Sequence, residues 1–253
     1  MKLRRLLFLL FCLPFFPAAA QRAEPDQLKL EKGILTIQPV THGSVVFTYK
    51  NKTIYVDPYG GAKAFAGLKT PDLILITDIH PDHLDPETLK LFEKSGATVV
   101  APPAVAEKLP AAFKKKVVTI KNGGNTKQLG VNITAVPMYN LPETADAKHP
   151  KGRGNGYILN FEGKNVYLSG DTEDIPEMRQ LKDIAVAFVC MNLPYTMSVE
   201  QAAEGVLAFK PKIVYPYHYR SQPEMSDVNA FSKLVKAGNS NIEVRLRNWY
   251  PEY

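Results

Sequence analysis

The chain has 253 residues, 45% hydrophobic and 22% charged, a globular balance that excludes a disordered or fibrous class. Its net charge of +6 is partly a property of its start: residues 1–20 hold three of the 31 basic side chains, Lys2, Arg4 and Arg5, and none of the 25 acidic ones, which leaves +3 for the rest. With Lys114-Lys115-Lys116 as its one basic run, the chain is not read as a nucleic-acid binder. The basic start is followed by apolar residues 6–16, broken only by Pro14, and by Ala18-Ala19-Ala20 before Gln21. This order predicts a signal peptide over 1–20, too short to span a membrane, and therefore an exported protein, periplasmic or extracellular. Cys12 follows bulky Phe11 and is not read as a lipid attachment point. Cys190, the one cysteine left after cleavage, ends an apolar run at 185–190 and reads as a small core residue rather than a nucleophile.

Residues 21–32 read as an N-terminal segment, and one domain is expected over 33–253. Strand-like runs at 34–37, 45–49 and 53–56 suggest an antiparallel meander ending at Asp57-Pro58. Leu73-Ile74-Leu75-Ile76 reads as a buried strand. It runs into Thr77-Asp78-Ile79-His80-Pro81-Asp82-His83-Leu84-Asp85, on the turn before a helix expected over 86–94. Carboxylates and imidazoles this dense call for a cation, and both are ligands of zinc, iron or manganese. Asp85, just before Pro86, also suits a helix N-cap. A strand at 98–100, a helix at 104–109 and a strand at 117–120 follow, closed by Gly123-Gly124-Asn125. The second half repeats this order. After a strand at 131–136 comes a long polar segment, 139–155. A hairpin turns at Glu162-Gly163-Lys164 and ends at Ser169-Gly170-Asp171-Thr172. The buried run at 185–190 precedes a helix opened by Ser198 with Gln201, a capping-box pattern. A strand at 213–215 leads to Pro216-Tyr217-His218-Tyr219, then a helix over 228–236 and a strand over 242–246. Two such halves packed face to face predict an α/β fold of four layers, αββα, with no linker between separate domains.

Asp78-x-His80-x-Asp82-His83, Ser169-Gly170-Asp171-Thr172 and Pro216-Tyr217-His218-Tyr219 together resemble the metallo-β-lactamase superfamily over about residues 33–246. Within it, His42-Gly43-Ser44, Val56-Asp57-Pro58 and Thr196-Met197 resemble the branch of ascorbate-phosphate lactonases and the N-acyl-phosphatidylethanolamine phospholipase D. The resemblance implies a centre for one or two zinc ions. Its second site is complete, with Asp82, His83 and His218, and Asp171 bridging. Its first site departs from the family pattern: Asp78 stands where the motif begins with His, and Asn140 stands where a later His is usual. Asp78, His80, Asn140 and Asp171 make an oxygen-rich set that should bind zinc weakly or take manganese or iron. His149, on the following loop, is the alternative donor. The implied activity is hydrolysis of an ester, lactone or phosphodiester by metal-bound hydroxide. Asp82 would orient the nucleophile or accept its proton. His42 lies either at the rim of the site or on the hairpin surface. Asp57 is expected behind a ligand histidine, with Asp85 nearby. Tyr139, Tyr195 and Met197 are read as walls of a pocket for a small-molecule or lipid-like substrate, or equally as core. The competing reading is a metal-binding protein with a degenerate first site and little turnover.

Overall fold

Antiparallel strands joined by tight turns, then parallel strands joined by helical crossovers, build each half. The computed structural model describes residues 22–144 and 146–252, so the expected signal peptide lies outside the described residues. In the first half β1 (Asp26–Lys29), β2 (Ile34–Thr41), β3 (Ser44–Tyr49) and β4 (Lys52–Val56) are antiparallel. β5 (Leu73–Leu75), β6 (Thr98–Ala101) and β7 (Val117–Thr119) add in parallel. The second half repeats the plan. β8 (Asn125–Gln128), β9 (Val131–Met138), β10 (Gly154–Phe161) and β11 (Lys164–Leu168) are antiparallel, and β12 (Ile184–Cys190), β13 (Ile213–Tyr217) and β14 (Glu243–Val244) add in parallel. Each half is one seven-stranded sheet in sequence order. Parallel neighbours need crossovers. These carry α1 (Gly61–Phe65), α2 (Pro86–Lys90), α3 (Pro103–Lys108) and α4 (Ala111–Lys114) in the first half. In the second they carry α5 (Pro176–Arg179), α6 (Val199–Phe209) and α7 (Val228–Gly238).

Side chains alternate across a strand, and this decides the layers. Ile54, Val56, Leu73 and Leu75 face the second sheet, while Tyr55, Ile74 and Ile76 face outward beneath α1 and α2 with Phe65 and Leu89. Phe47 of β3 meets Phe161 and Phe188 of the opposite sheet, with ring centroids 6.1 and 5.8 Å apart. Val206, Phe209, Phe231 and Val235 of α6 and α7 cover the second sheet's outer face. Burying each such side chain stabilises by about 1.5–3 kcal/mol, so the shared core holds the two sheets together. This is the αββα sandwich. The short elements α1, α4, α5 and β8 have no counterpart in the sequence reading, and three further elements differ from expectation. β1 lies within the expected N-terminal segment; its short, polar run carries little strand signal, yet it forms the sheet edge. The helix at 86–94 stops at Lys90 and resumes as a 3₁₀ turn, Glu93–Ser95. The last strand keeps only two residues. Among the described residues no helix is long and apolar enough to cross a membrane. Cys190 is buried in β12, where burial pushes its thiol up to about 11.

Candidate metal centre

The donors converge because their loops leave the same edge of the sandwich. β5 runs into Asp78, His80, Asp82 and His83; β11 into Asp171; β13 into His218. The β2–β3 turn carries His42, and the β9–β10 connection carries His149 and Arg153. His42, Asp57 and His218 have left-handed φ of 55°, 43° and 48°. Such residues cost of order 1–3 kcal/mol each and gather at functional sites. A Cβ on Gly43 would lie 3.2 Å from His218 Cδ2 and 3.7 Å from His83 Cε1, so glycine there lets the hairpin approach both imidazoles. Gly170, at φ 61°, turns the chain into Asp171 where a Cβ would sit 2.6 Å from Met138 Sδ.

His83 is anchored from behind. Its Nδ1 lies 2.8 Å from Asp57 Oδ2, and Asp57 accepts from Thr77 N at 2.8 Å and Thr77 Oγ1 at 2.6 Å. The carboxylate thus accepts from Nδ1–H and turns Nε2 inward. That Nε2 is 3.2 Å from Asp171 Oδ2 and 3.2 Å from His218 Nε2. His218 Nε2 is in turn 3.4 Å from both Asp171 Oδ1 and Asp82 Oδ2. Asp171 Oδ1 is buried without a hydrogen-bond partner, a state that costs about 1–3 kcal/mol unless something satisfies it. The field favours positive charge here. Burial opposes charge on His83, but Asp171, Asp82 and Asp57 outweigh it and hold the imidazole pKa well above its usual value. Burial likewise opposes the ionised form of Asp171, yet His218 and His83 hold its carboxyl well below the ordinary range. Asp82 is also held down, with His83, His218 and His42 overcoming burial. His83, Asp171 and His218 offer donor atoms within 4.8 Å of one another, with Asp82 against His218, a set that fits a zinc-like ion.

The first side is arranged differently. His149, expected only as an alternative donor, is buried, and its Nε2 is 3.0 Å from Asp171 Oδ2 with no hydrogen bond. Asn140, expected as a ligand, is instead its holder. Asn140 Oδ1 accepts from His149 N at 2.7 Å and faces His149 Nδ1 at 3.1 Å, while its amide nitrogen donates to Glu173 Oε1 and to the Tyr195 carbonyl. No donor atom of Asn140 is left for a metal. Asp78 is fully buried and meets a cation absent from the sequence reading. Arg153 donates to it twice, Nε to Oδ1 at 3.0 Å and Nη2 to Oδ2 at 2.7 Å. Arg153 Nη2 also lies 3.3 Å from His80 Nε2. A buried Asp at the head of the motif demanded a positive partner, but nothing in the 139–155 segment told Lys148, Lys151 and Arg153 apart.

The cluster floors a cavity of about 380 Å³. His42 lines it and is buried, not a surface residue of the hairpin; its Nε2 is 2.9 Å from Asp82 Oδ2 and its Nδ1 3.0 Å from the Tyr250 hydroxyl. Burial and His218 pull the His42 pKa down to about 4, so the neutral ring donates to Asp82 and accepts from Tyr250. Lys148, Arg220 and Tyr195 form part of the wall. Two expected walls are elsewhere. Met197 is fully buried in the core. Tyr139, just past the end of β9, is buried too, its hydroxyl donating to Glu177 and its ring beneath Lys151. Asp85 does not support the cluster. Its carboxylate caps α2, accepting from Glu87 N, Thr88 N and Thr88 Oγ1.

A family model described as a beta-lactamase superfamily domain matches residues 36–218. The chain belongs to the beta-lactamase superfamily. As a member it is 34% identical over 195 residues to a UPF0173 metal-dependent hydrolase of Pyrococcus abyssi, covering 73% of this chain and 85% of that one. A UPF0173 metal-dependent hydrolase of Lysinibacillus sphaericus is 30% identical over 213 residues, 80% of this chain and 92% of its own. Among solved structures, a protein of Parabacteroides distasonis named as a metal-dependent hydrolase superposes with a TM-score of 0.78 at 41% identity, covering 88% of this superfamily member and 98% of itself.

Proposed function

We propose that this metal-dependent hydrolase of the beta-lactamase superfamily is exported and cleaves an ester, lactone or phosphodiester in a small substrate carrying negative charge. One observation carries the reading. Buried His83, His218 and Asp171, with half-buried Asp82 and an orphaned carboxylate oxygen, lie beneath a cavity of about 380 Å³. Those four residues would hold a divalent ion, which would supply Lewis acidity and bring the ionisation of water close to neutral pH. The chain does the rest. Asp82, kept ionised and fixed by His42, orients the attacking water or takes its proton. Tyr250 keeps His42 in the tautomer that donates to Asp82. Lys148 and Arg220 line the same cavity, and neither has a carboxylate partner among the described residues, which supports an anionic group on the substrate. Export is supported by the charged start, apolar core and Ala18-Ala19-Ala20.

The test is a panel of p-nitrophenyl acetate, a γ-lactone and bis(p-nitrophenyl) phosphate, with anionic and neutral analogues. Turnover is expected to vanish with chelator, return with zinc and favour the anionic members. Asp171→Ala should abolish it without changing the circular dichroism spectrum. Turnover that ignores the chelator rejects the metal-dependent mechanism, and a zinc-loaded protein inert across the panel rejects the hydrolase in favour of a binding protein. Mass spectrometry of the exported protein should find an N-terminus at Gln21; an intact Met1 rejects cleavage.

A further inference from the structure

We infer that Arg153 is a built-in competitor for the first metal position, so that the centre holds one ion tightly and admits a second only by displacing a guanidinium. The inference rests on the reading of this centre as a metal site. A first ion would need donors from Asp78, His80, His149 and Asp171. Two of these are already committed. Both Asp78 oxygens accept from Arg153, in the bidentate arrangement that guanidinium and carboxylate form most strongly. The same Nη2 lies 3.3 Å from His80 Nε2, so an ion on that lone pair would sit against the guanidinium's positive charge. His80 Nδ1 is 3.0 Å from Asp78 Oδ2, which places the ring's proton on the carboxylate side. Arg153 is itself held in place, because Nη2 donates to the Lys148 carbonyl at 2.6 Å. Asp78 and Arg153 thus satisfy each other without any ion, and His80 Nε2 is left facing a fixed positive charge.

The remaining two donors, His149 and Asp171, meet no Lys or Arg among the described residues. His149 Nε2 has no hydrogen bond and faces Asp171 Oδ2 at 3.0 Å. The first position is therefore half open and half closed, and the closed half carries its own positive charge. The second position has no such rival, since no Lys or Arg touches Asp82, His83, His218 or Asp171 among the described residues. Arg153 does not line the cavity, so it acts through Asp78 and His80 as a positioning residue and does not touch substrate.

The experiment is zinc chloride titration by calorimetry, with metal content after dialysis read by mass spectrometry, on wild type, Arg153→Met, and the double variant Asp78→His/Arg153→Met. Wild type should retain one zinc per chain and take a second weakly. Arg153→Met frees Asp78 and His80, and the second equivalent should tighten by roughly 10- to 100-fold, the scale on which outer partners tune metal affinity. The double variant leaves no unpaired buried carboxylate. It should fold even if Arg153→Met does not, and should retain two zinc ions. Two tight ions in wild type, or an unchanged weak equivalent in the folded variants, overturns the competitor role while leaving the metal centre standing. No retained zinc in wild type overturns the metal centre and this inference with it.

Discussion

Asn140 spends every function of its amide to aim one imidazole. Its oxygen faces His149 from two directions, and its nitrogen points at two acceptors, which fixes the amide's orientation. Asn140→Ala should therefore leave the tight zinc equivalent in place and weaken the second by roughly 10- to 100-fold. Asn140→His, the change that the family pattern suggests would complete the first site, should not create a second tight equivalent, because position 140 does not point at the cluster. Competition titration against a chromophoric chelator measures both, and a tight second ion in Asn140→His would defeat the assignment of His149. This is where the sequence was hardest to read. His80, Asp82 and His83 share one short turn, so their proximity is set by local spacing. His149 lies nine residues after Asn140 on an irregular loop with no period to place it, and Arg153 owes its role to Asp78, 75 residues earlier.

Two hairpins meet at the end of the sandwich away from the metal cluster. β3 and β4 turn through Lys50 and Asn51, at φ 47° and 62°, and β10 and β11 turn through Glu162 and Gly163, at φ 52° and 83°. Two-residue loops with both φ positive match the twist of their strands, and Gly163 marked the second turn in the sequence. That the two turns touch was not legible, since nothing local records which hairpin of the other half lies opposite. Glu162 pairs with Lys50 at 2.8 Å, accepts from the Tyr49 hydroxyl at 2.7 Å and from Lys32 N at 2.7 Å. The Lys50, Lys32 and Tyr49 hydrogen bonds lower its pKa from 4.5 to about 2. In the unfolded chain the group protonates near pH 4.5, and in the folded one near 2. Its contribution is thus full above pH 4.5 and is lost as pH falls towards 2. Glu162→Gln should be less stable than wild type at pH 6, with the gap closing by pH 2.5. Urea denaturation at the two pH values measures it; a gap that does not change with pH would show that the carboxylate's charge contributes nothing.

The whole molecule is one plan used twice, and the duplication was visible in the sequence as repeated antiparallel runs followed by strand–helix alternation. The pairing order follows because each crossover is short and joins neighbours. Asp82 and His83 belong to the first half, Asp171 and His218 to the second, so the cluster lies on the seam. An ion there should stabilise the fold by about 2.7 kcal/mol when present at a hundred times its Kd. Removing it with chelator should lower the urea midpoint of wild type and leave Asp171→Ala unmoved, and equal shifts in both would place the stabilising ion elsewhere. Neither half alone carries a complete donor set. All four donors can meet one ion only where the two sheets have docked, so full loading reports that the halves have closed on each other.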